Sequence, residues 1–250
     1  MTITTRRLTA AIAACAVLAA GGLTATAALA ADHTQQLNIA AELVRQPVGK
    51  PWIVNLVLGA NMGMSDGTVP APVNHMKFSF TSGAKVHTEA FGVCTRKALE
   101  AQGPGGCPAS SQLGSGTAVA SALATDFNAD VKVFNGPGTT SNRKLYVYAR
   151  AIQTVVIIME GTLKKTSGKY GWMLDLPVPQ IPTVGEGNDA SITSFSVKVG
   201  GFGKKHTPFI EAPTSCNGPG WPFLGSFSYT DGGNGTSAAI IPCLLKATNS

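Results

Sequence analysis

Alternation of apolar and polar residues predicts most of the regular structure in this chain of 250 residues. Successive side chains of a strand point to opposite faces, so a period of two indicates one buried and one exposed face. With 29 glycines, 15 prolines and almost no helical periodicity, the pattern predicts an all-β fold, an antiparallel β-sandwich of immunoglobulin-like or jelly-roll type. Strands are predicted at 52–58, 76–80, 131–134, 145–150, 192–199 and 223–229, with loop residues at 59–72.

Turn residues between apolar segments predict two hairpins. The run Val-Val-Ile-Ile-Met at 155–159 does not alternate, which is typical of a strand covered on both faces. The polar cluster at 164–169 follows it and predicts a hairpin whose second strand begins at Tyr170. The glycine-rich turn at 231–235 predicts a second hairpin near the end of the chain.

One short helix is predicted over Arg96–Gln102, with Thr95 as its N-cap and Gly103 at its end. A helix of about two turns is not stable in isolation. A disulfide between Cys94 and Cys107 would hold it, and closing that loop contributes roughly 3 kcal/mol in the chain-entropy model.

Residues 1–31 have the parts of an export signal. Arg6 and Arg7 precede an apolar stretch, and Ala-Leu-Ala at 28–30 forms an A-x-A-like cleavage site. Thr9 and Ala10 stand where a twin-arginine signal usually has large apolar residues, which favours ordinary export over the twin-arginine alternative. We therefore expect a cleaved signal peptide, no remaining membrane span, and a secreted or cell-envelope protein.

The remaining residues, 32–250, are interpreted as a single β-sandwich domain, and a split into two smaller sandwiches near 200–213 is the alternative. Loss of the leader removes two arginines and no acid, so 19 basic and 13 acidic residues become 17 and 13, a net charge of +4. The lysine doublets at 164–165 and 204–205 are too short for a nucleic-acid-binding cluster, so no nucleic-acid partner is predicted.

Four cysteines remain after Cys15 leaves with the signal peptide, an even number that suits an exported protein. Of the three possible connectivities we favour the sequential one, Cys94–Cys107 with Cys216–Cys243. The second loop would contribute roughly 3.6 kcal/mol by the same estimate. Zinc is disfavoured because no Cys-x-x-Cys pair exists and the histidines lack ligand spacing.

Several motifs, taken in order, resemble a group of exported actinobacterial proteins of uncharacterised function. They are CTRKALEAQGPGGCPASSQLGSGTA at 94–118, DVKVFNG at 130–136, APTSCNGPGWPF at 212–223, FSYTDG at 227–232, and the final cysteine. The resemblance covers about 70–243 and leaves 32–67 outside. It implies an exported, β-rich domain with these paired cysteines, and it implies no activity.

Candidate catalytic and metal-binding motifs are weak. Gly-Ser-Gly at 114–116 is one residue short of the G-x-S-x-G nucleophile elbow and leads into a strand. The acidic residues are scattered, without the facing carboxylate pair of a glycosidase. The glycine-rich loops at 185–189 and 231–235 lack the alternating carboxylates of calcium loops, so we interpret them as tight turns. No catalytic residue, metal or cofactor is assigned, and whether the protein is an enzyme stays open.

Three aromatic residues are the remaining candidates for ligand binding. Tyr170 and Trp172 share one face of a predicted strand, and the flanking prolines would hold Trp221 rigidly. Rigid rings suit sugars, although aromatics at a period of two more often belong to a core. The preferred function is a non-enzymatic binding or structural module at the cell surface, with envelope glycan or another surface component as partner. A hydrolase of extracellular polysaccharide or ester is the alternative, and a lipid carrier with an apolar cavity is a further one.

Overall fold

The computed structural model describes residues 31–44, 52–151, 155–183, 189–215 and 219–242. The predicted signal peptide, apart from Ala31, lies outside these residues. Both members of the predicted Cys216–Cys243 pair also lie outside them. From Ala31 onward the chain forms one compact unit.

The described residues form 13 strands and one α-helix, α1, at Arg96–Gln102. Short 3₁₀ turns lie at Thr88–Ala90, Gly103–Gly106, Ala109–Ser111 and Lys204–His206. The predicted all-β, antiparallel fold with one short helix beside a Cys94–Cys107 disulfide is confirmed. The strands are β1 (His33–Val44), β2 (Ile53–Met64), β3 (Val73–Thr81), β4 (Lys85–Val86), β5 (Gln112–Ala122), β6 (Thr125–Gly138), β7 (Asn142–Ala151), β8 (Val155–Lys165), β9 (Tyr170–Pro177), β10 (Ser191–Val199), β11 (Ile210–Glu211), β12 (Gly220–Tyr229) and β13 (Asn234–Pro242).

These strands belong to one continuous antiparallel sheet, which curves until opposite parts of it face each other. Its order is β13-β12-β3-β9-β8-β7-β6-β5-β10-β2, with β1 and β11 also paired with β2 and β4 paired with β11. Phe78 on β3 meets Phe195 on β10 edge to face, with ring centres 5.8 Å apart, although six strand-to-strand steps separate β3 from β10 in the sheet order. The two layers of the sandwich are therefore parts of the same sheet.

Side chains join β1 and β13, the first and last strands of the part of the chain that the structure describes. The described residues of these two strands form no backbone ladder with each other. Instead, the Leu37 amide donates to Ser237 Oγ at 2.9 Å, and His33 Nε2 lies 2.8 Å from Asp231 Oδ2 in the turn before β13. The His33 ring also stacks on Tyr229, with ring centres 3.7 Å apart. We call this side-chain contact the seam, and it closes the sheet around its interior.

Helix α1 begins and ends where the local signals predict. Thr95 Oγ1 accepts a hydrogen bond from the Ala98 amide at 3.2 Å, and the chain leaves the helix at Gly103, whose φ is +60°. Leu99 is the buried residue of the helix. It packs in a cluster on the outer face of the sheet with Cys94, Phe134, Tyr146 and Tyr148.

Strand β2 is longer than its pattern predicts. The residues at 59–64, interpreted as the start of a loop, continue the strand to Met64. The backbone of β10 lies so close to Gly59 that a Cβ at this position would be 2.7 Å from the Phe195 carbonyl oxygen. Only glycine fits here, which explains a glycine inside the strand. The glycine at this position therefore indicates close contact between two strands and does not mark a turn.

Strand β8 is not covered on both faces over its whole length, contrary to the prediction. Val155 and Val156 at its start are 39% and 44% exposed. Further along, Ile158 packs against the cluster under α1 on the outer face, and Met159 is buried. The apolar run therefore has two covered faces only where the helix lies over the sheet.

Candidate functional site

The interior of the curved sheet contains a cavity of about 200 Å³. Inward-facing side chains from most of the strands line it. Among the described residues, Glu211 is the only ionisable one in its wall. Representative wall residues are Leu56, Met76, Val131, Val147, Ile157 and Phe195.

Small side chains account for much of this free space. Five alanines on the neighbouring strands β5, β6 and β7 face the cavity: Ala118, Ala120, Ala129, Ala149 and Ala151. A methyl group on each of these positions leaves a gap that a leucine or phenylalanine would fill.

A cavity of this size is unusual in a protein, because native interiors contain few voids larger than a water molecule. A closed cavity of this volume without contents would cost about 5 kcal/mol of stability, at about 24 cal/mol per Å³. Whole domains are stable by only about 5–15 kcal/mol. The apolar wall does not suit water, which needs polar partners. An apolar ligand fits this space chemically and would remove the cost.

Both predicted tryptophans lie in the wall of the cavity. Trp172 is 6% exposed and Trp221 is 4% exposed. The Trp172 indole donates to the Ala84 carbonyl at 3.1 Å. The Trp221 Nε1–H is buried and has no acceptor among the described residues.

The three predicted aromatic candidates do not form one exposed surface. A ring that stacks on a sugar must present a face to solvent, and the burial of Trp172 and Trp221 excludes such a surface role for them. Tyr170 is half-buried, with the Lys169 ammonium group 5.4 Å from its ring centre. Both tryptophans are buried in the cavity wall, so any contact that they make with a ligand lies inside the protein.

Charged residues lie where β4 and β11 meet one end of the cavity. Glu211 has Lys85 Nζ at 3.7 Å and His87 Nε2 at 3.2 Å, and His87 Nδ1 lies 3.3 Å from Glu89. Partly exposed pairs of this kind contribute about 0–1 kcal/mol each. Strand β11 pairs with β2 only through Glu211 and Ile53. The contacts of Glu211 with Lys85 and His87 therefore help to hold β11 in place at this end of the cavity.

The strand pairing also places an aspartate, a histidine and a serine side by side on the outer face of the sheet. His75 on β3 hydrogen-bonds Asp175 on β9, and Ser228 on β12 lies directly opposite His75. These are the residue types of a hydrolase triad. However, the Ser228 hydroxyl donates to Asn234 Oδ1 at 2.7 Å, and a nucleophile is activated when its base accepts that proton. This row of three polar residues is therefore not arranged as a nucleophile with its general base.

Sequence reasoning missed this row of polar residues, and it named an apolar cavity only as part of the lipid-carrier alternative, without the residues that line it. The row spans positions 75, 175 and 228, which only strand pairing brings together. The cavity depends on alanines in three strands, and nothing in the sequence near any one of these alanines indicates that they face the same interior space.

Comparison of the chain with protein-family models, curated proteins and solved structures finds no match. In the part of the chain that the structure describes, no group of three or more His, Cys, Asp and Glu residues is placed to hold a metal ion. No helix among these residues is long and apolar enough to cross a membrane. The functional argument therefore depends on the geometry of the cavity.

Proposed function

We propose that this protein is a secreted, non-enzymatic binding module that carries an apolar ligand, such as part of a lipid chain, inside its curved sheet. The observation that carries the proposal is the apolar cavity of about 200 Å³. Its secretion is inferred from the leader at 1–31.

The size and chemistry of the cavity support a small apolar ligand or the end of a longer chain. An engineered apolar cavity of about 150 Å³ in another protein stays dry and binds benzene. Each buried methylene contributes about 0.8 kcal/mol to binding. A few methylenes inside this wall would therefore offset much of the cost of leaving the space empty.

The glycan and hydrolase hypotheses have less support. A glycan site needs exposed rings, and two of the three candidate rings are buried. A hydrolase needs a base that faces its nucleophile, and Ser228 donates elsewhere. Neither hypothesis gives the cavity a role.

The direct test is solvent extraction of the purified protein followed by mass spectrometry. We expect an apolar compound at about one molecule per chain. Replacing Ala129 and Ala149 together by leucine fills the cavity wall on β6 and β7, so this variant should retain less than about a tenth of the compound. Ala238→Leu is the matched control, because Ala238 is exposed on β13 and should leave the bound compound unchanged.

Unfolding curves and circular dichroism would show that each variant remains folded. An extract without any apolar compound, together with failure of added apolar probes to bind, would contradict the proposal. Equal retention by the filled variant and the control would contradict it as well.

A further inference from the structure

One exposed aromatic ring lies beside three basic side chains in the loop that joins β10 to β11. Phe202 is 52% exposed, and it is the only exposed aromatic residue in the part of the chain that the structure describes. Lys204, Lys205 and His206 follow it and are exposed too. The ion pairs formed by the described lysines and arginines include neither of these lysines. We call residues 200–209 the basic loop.

Backbone contacts hold the basic loop in a fixed shape. The Gly203 amide donates to the Thr207 carbonyl at 2.8 Å, and the Phe209 amide donates to the Gly201 carbonyl at 2.9 Å. A Cβ at Gly203 would be 2.3 Å from the Ala90 carbonyl oxygen, so the loop also packs closely against the segment that precedes α1. The exposed ring of Phe202 is therefore carried by an ordered part of the protein.

Two residues at the tip of the basic loop have an unfavourable backbone conformation. Lys205 has a φ of +55° and His206 a φ of +57°, in the left-handed region that residues other than glycine rarely adopt. Such conformations are concentrated at functional sites, where a particular arrangement of side chains is required. Here the arrangement sets the His206 ring beside Phe202, with ring centres 6.5 Å apart.

The basic loop lies at an end of the sheet that carries further unpaired lysines. Strands β8 and β10 run in the same direction, because four antiparallel pairings separate them in the sheet order, so both end at this end. Three more lysines lie where β8 ends and in the turn that follows: Lys164, Lys165 and Lys169. Three carboxylates at the same end already contact a lysine or a histidine: Glu42, Glu89 and Glu211.

We propose that the basic loop docks on a lipid bilayer that contains anionic lipid. The Phe202 ring enters the upper part of the acyl chains, and the ammonium groups of Lys204 and Lys205 contact the lipid phosphates. Apolar side chains next to basic ones are typical of segments that bind at the surface of a membrane. A bilayer offers an apolar layer directly below an anionic one, whereas a soluble polyanion matches only the lysines.

This inference goes beyond the proposed carrier function, because it concerns a different surface and does not require a ligand in the cavity. The two are neighbours in space. Phe209, the last residue of the basic loop, lines the cavity. Docking of the loop would therefore bring one end of the cavity close to the membrane.

Cosedimentation with vesicles tests the docking proposal. The protein is purified after export, so that the apolar leader at 1–31 does not contribute to binding. The vesicles consist of phosphatidylcholine, with or without phosphatidylglycerol as the anionic lipid. We expect saturable binding to the anionic vesicles that weakens as salt is added, and little binding to phosphatidylcholine alone.

Changes in the basic loop should weaken this binding. Phe202→Ser should weaken it about tenfold, because the variant loses the burial of one aromatic ring. Phe202→Trp should restore the wild-type affinity, since the indole suits the same interface. Replacing Lys204 and Lys205 together by glutamine should weaken binding about thirtyfold, the effect of two lysines near an anionic surface.

Matched variants outside the basic loop are the controls. Leu123→Ser removes a side chain that is 65% exposed at the opposite end of the sheet, where β5 ends. Lys77→Gln combined with Lys97→Gln removes the same charge from exposed sites on β3 and α1. Each control should change binding by less than about threefold, because charges beyond a Debye length are screened. All these side chains are exposed, so the unfolding midpoints should stay the same.

Several outcomes would overturn the docking proposal. They are equal binding to vesicles with and without phosphatidylglycerol, wild-type affinity in Phe202→Ser, and binding to soluble polyphosphate as tight as to anionic vesicles. If an apolar compound is extracted but no vesicle binds, the carrier function stands and the docking proposal is wrong. If anionic vesicles bind as expected but no apolar compound is extracted and no apolar probe binds, docking stands and the carrier function is wrong.

Discussion

Replacement of Asn135 by alanine should strongly destabilise the protein. Asn135 on β6 is completely buried, and its Nδ2 donates to the carbonyls of Thr88 at 3.0 Å and Gly92 at 2.9 Å. The backbone carbonyl of Asn135 accepts from the Cys94 amide at 2.8 Å. One side chain therefore ties the segment that leads into α1 to the end of the sheet.

The magnitude follows from these contacts. Alanine keeps the backbone bond to Cys94, but it leaves the Gly92 carbonyl without this donor and leaves the Thr88 carbonyl with only the Phe91 amide, 3.4 Å away. A lost hydrogen bond costs about 0.5–1.5 kcal/mol and a buried group left unsatisfied costs about 1–3 kcal/mol, so we expect a loss of about 2–4 kcal/mol. Arg143 donates to Thr88 Oγ1 and to the Gly136 carbonyl, not to these two oxygens, so it does not replace the lost bonds.

Denaturant unfolding at equilibrium measures this effect, with Asn128→Ala as the control. Asn128 lies on the same strand but is exposed, so its replacement should change stability by less than about 0.5 kcal/mol. A loss below about 1 kcal/mol for Asn135→Ala, or equal losses in both variants, would refute the reasoning.

Two further predictions concern the disulfide and the seam. Replacing Cys94 and Cys107 by serine should lower the free energy of unfolding by roughly 3 kcal/mol and reduce helical circular dichroism, and peptide mapping of the unreduced wild type should link these two cysteines. At the seam, the Gly233 amide, and secondly the His33 side chain, hold the pKa of Asp231 below its ordinary value of 3.8. The contribution of Asp231 is therefore present above about pH 4 and is lost as the pH falls further, so Asp231→Asn should flatten the acid limb of a stability-against-pH curve. An unchanged acid limb would contradict the role of Asp231.

Features that depend on neighbours in the chain could be predicted. Helix α1 has its cap at Thr95, its end at Gly103 and its disulfide within fourteen residues, positions 94–107, so one window of sequence contains the causes. The β8–β9 and β12–β13 hairpins formed for the same reason, because their turn residues lie between the strands that they join.

The candidate site could be predicted only in part. Aromatics at a period of two share a face, but the sequence does not say whether that face meets solvent or the other layer. Trp172 and Trp221 face inward because their strands line the interior of a curved sheet. The pairing of β3 with β9 and β12, which aligns His75 with Asp175 and Ser228, likewise joins segments about 100 or more residues apart.

By itself the sequence determined an antiparallel β fold, its short helix and the local disulfide, because alternation, caps and turns act over a few residues. The tertiary structure alone decided the strand order, the seam between β1 and β13, and the cavity. Strand pairing joins segments that are distant in sequence and that have similar patterns of apolar and polar residues. The local sequence of a strand therefore does not determine which other strand it pairs with. A cavity is the difference between the space that the sheet encloses and the side chains that fill it, and that difference exists only once all the strands are in place.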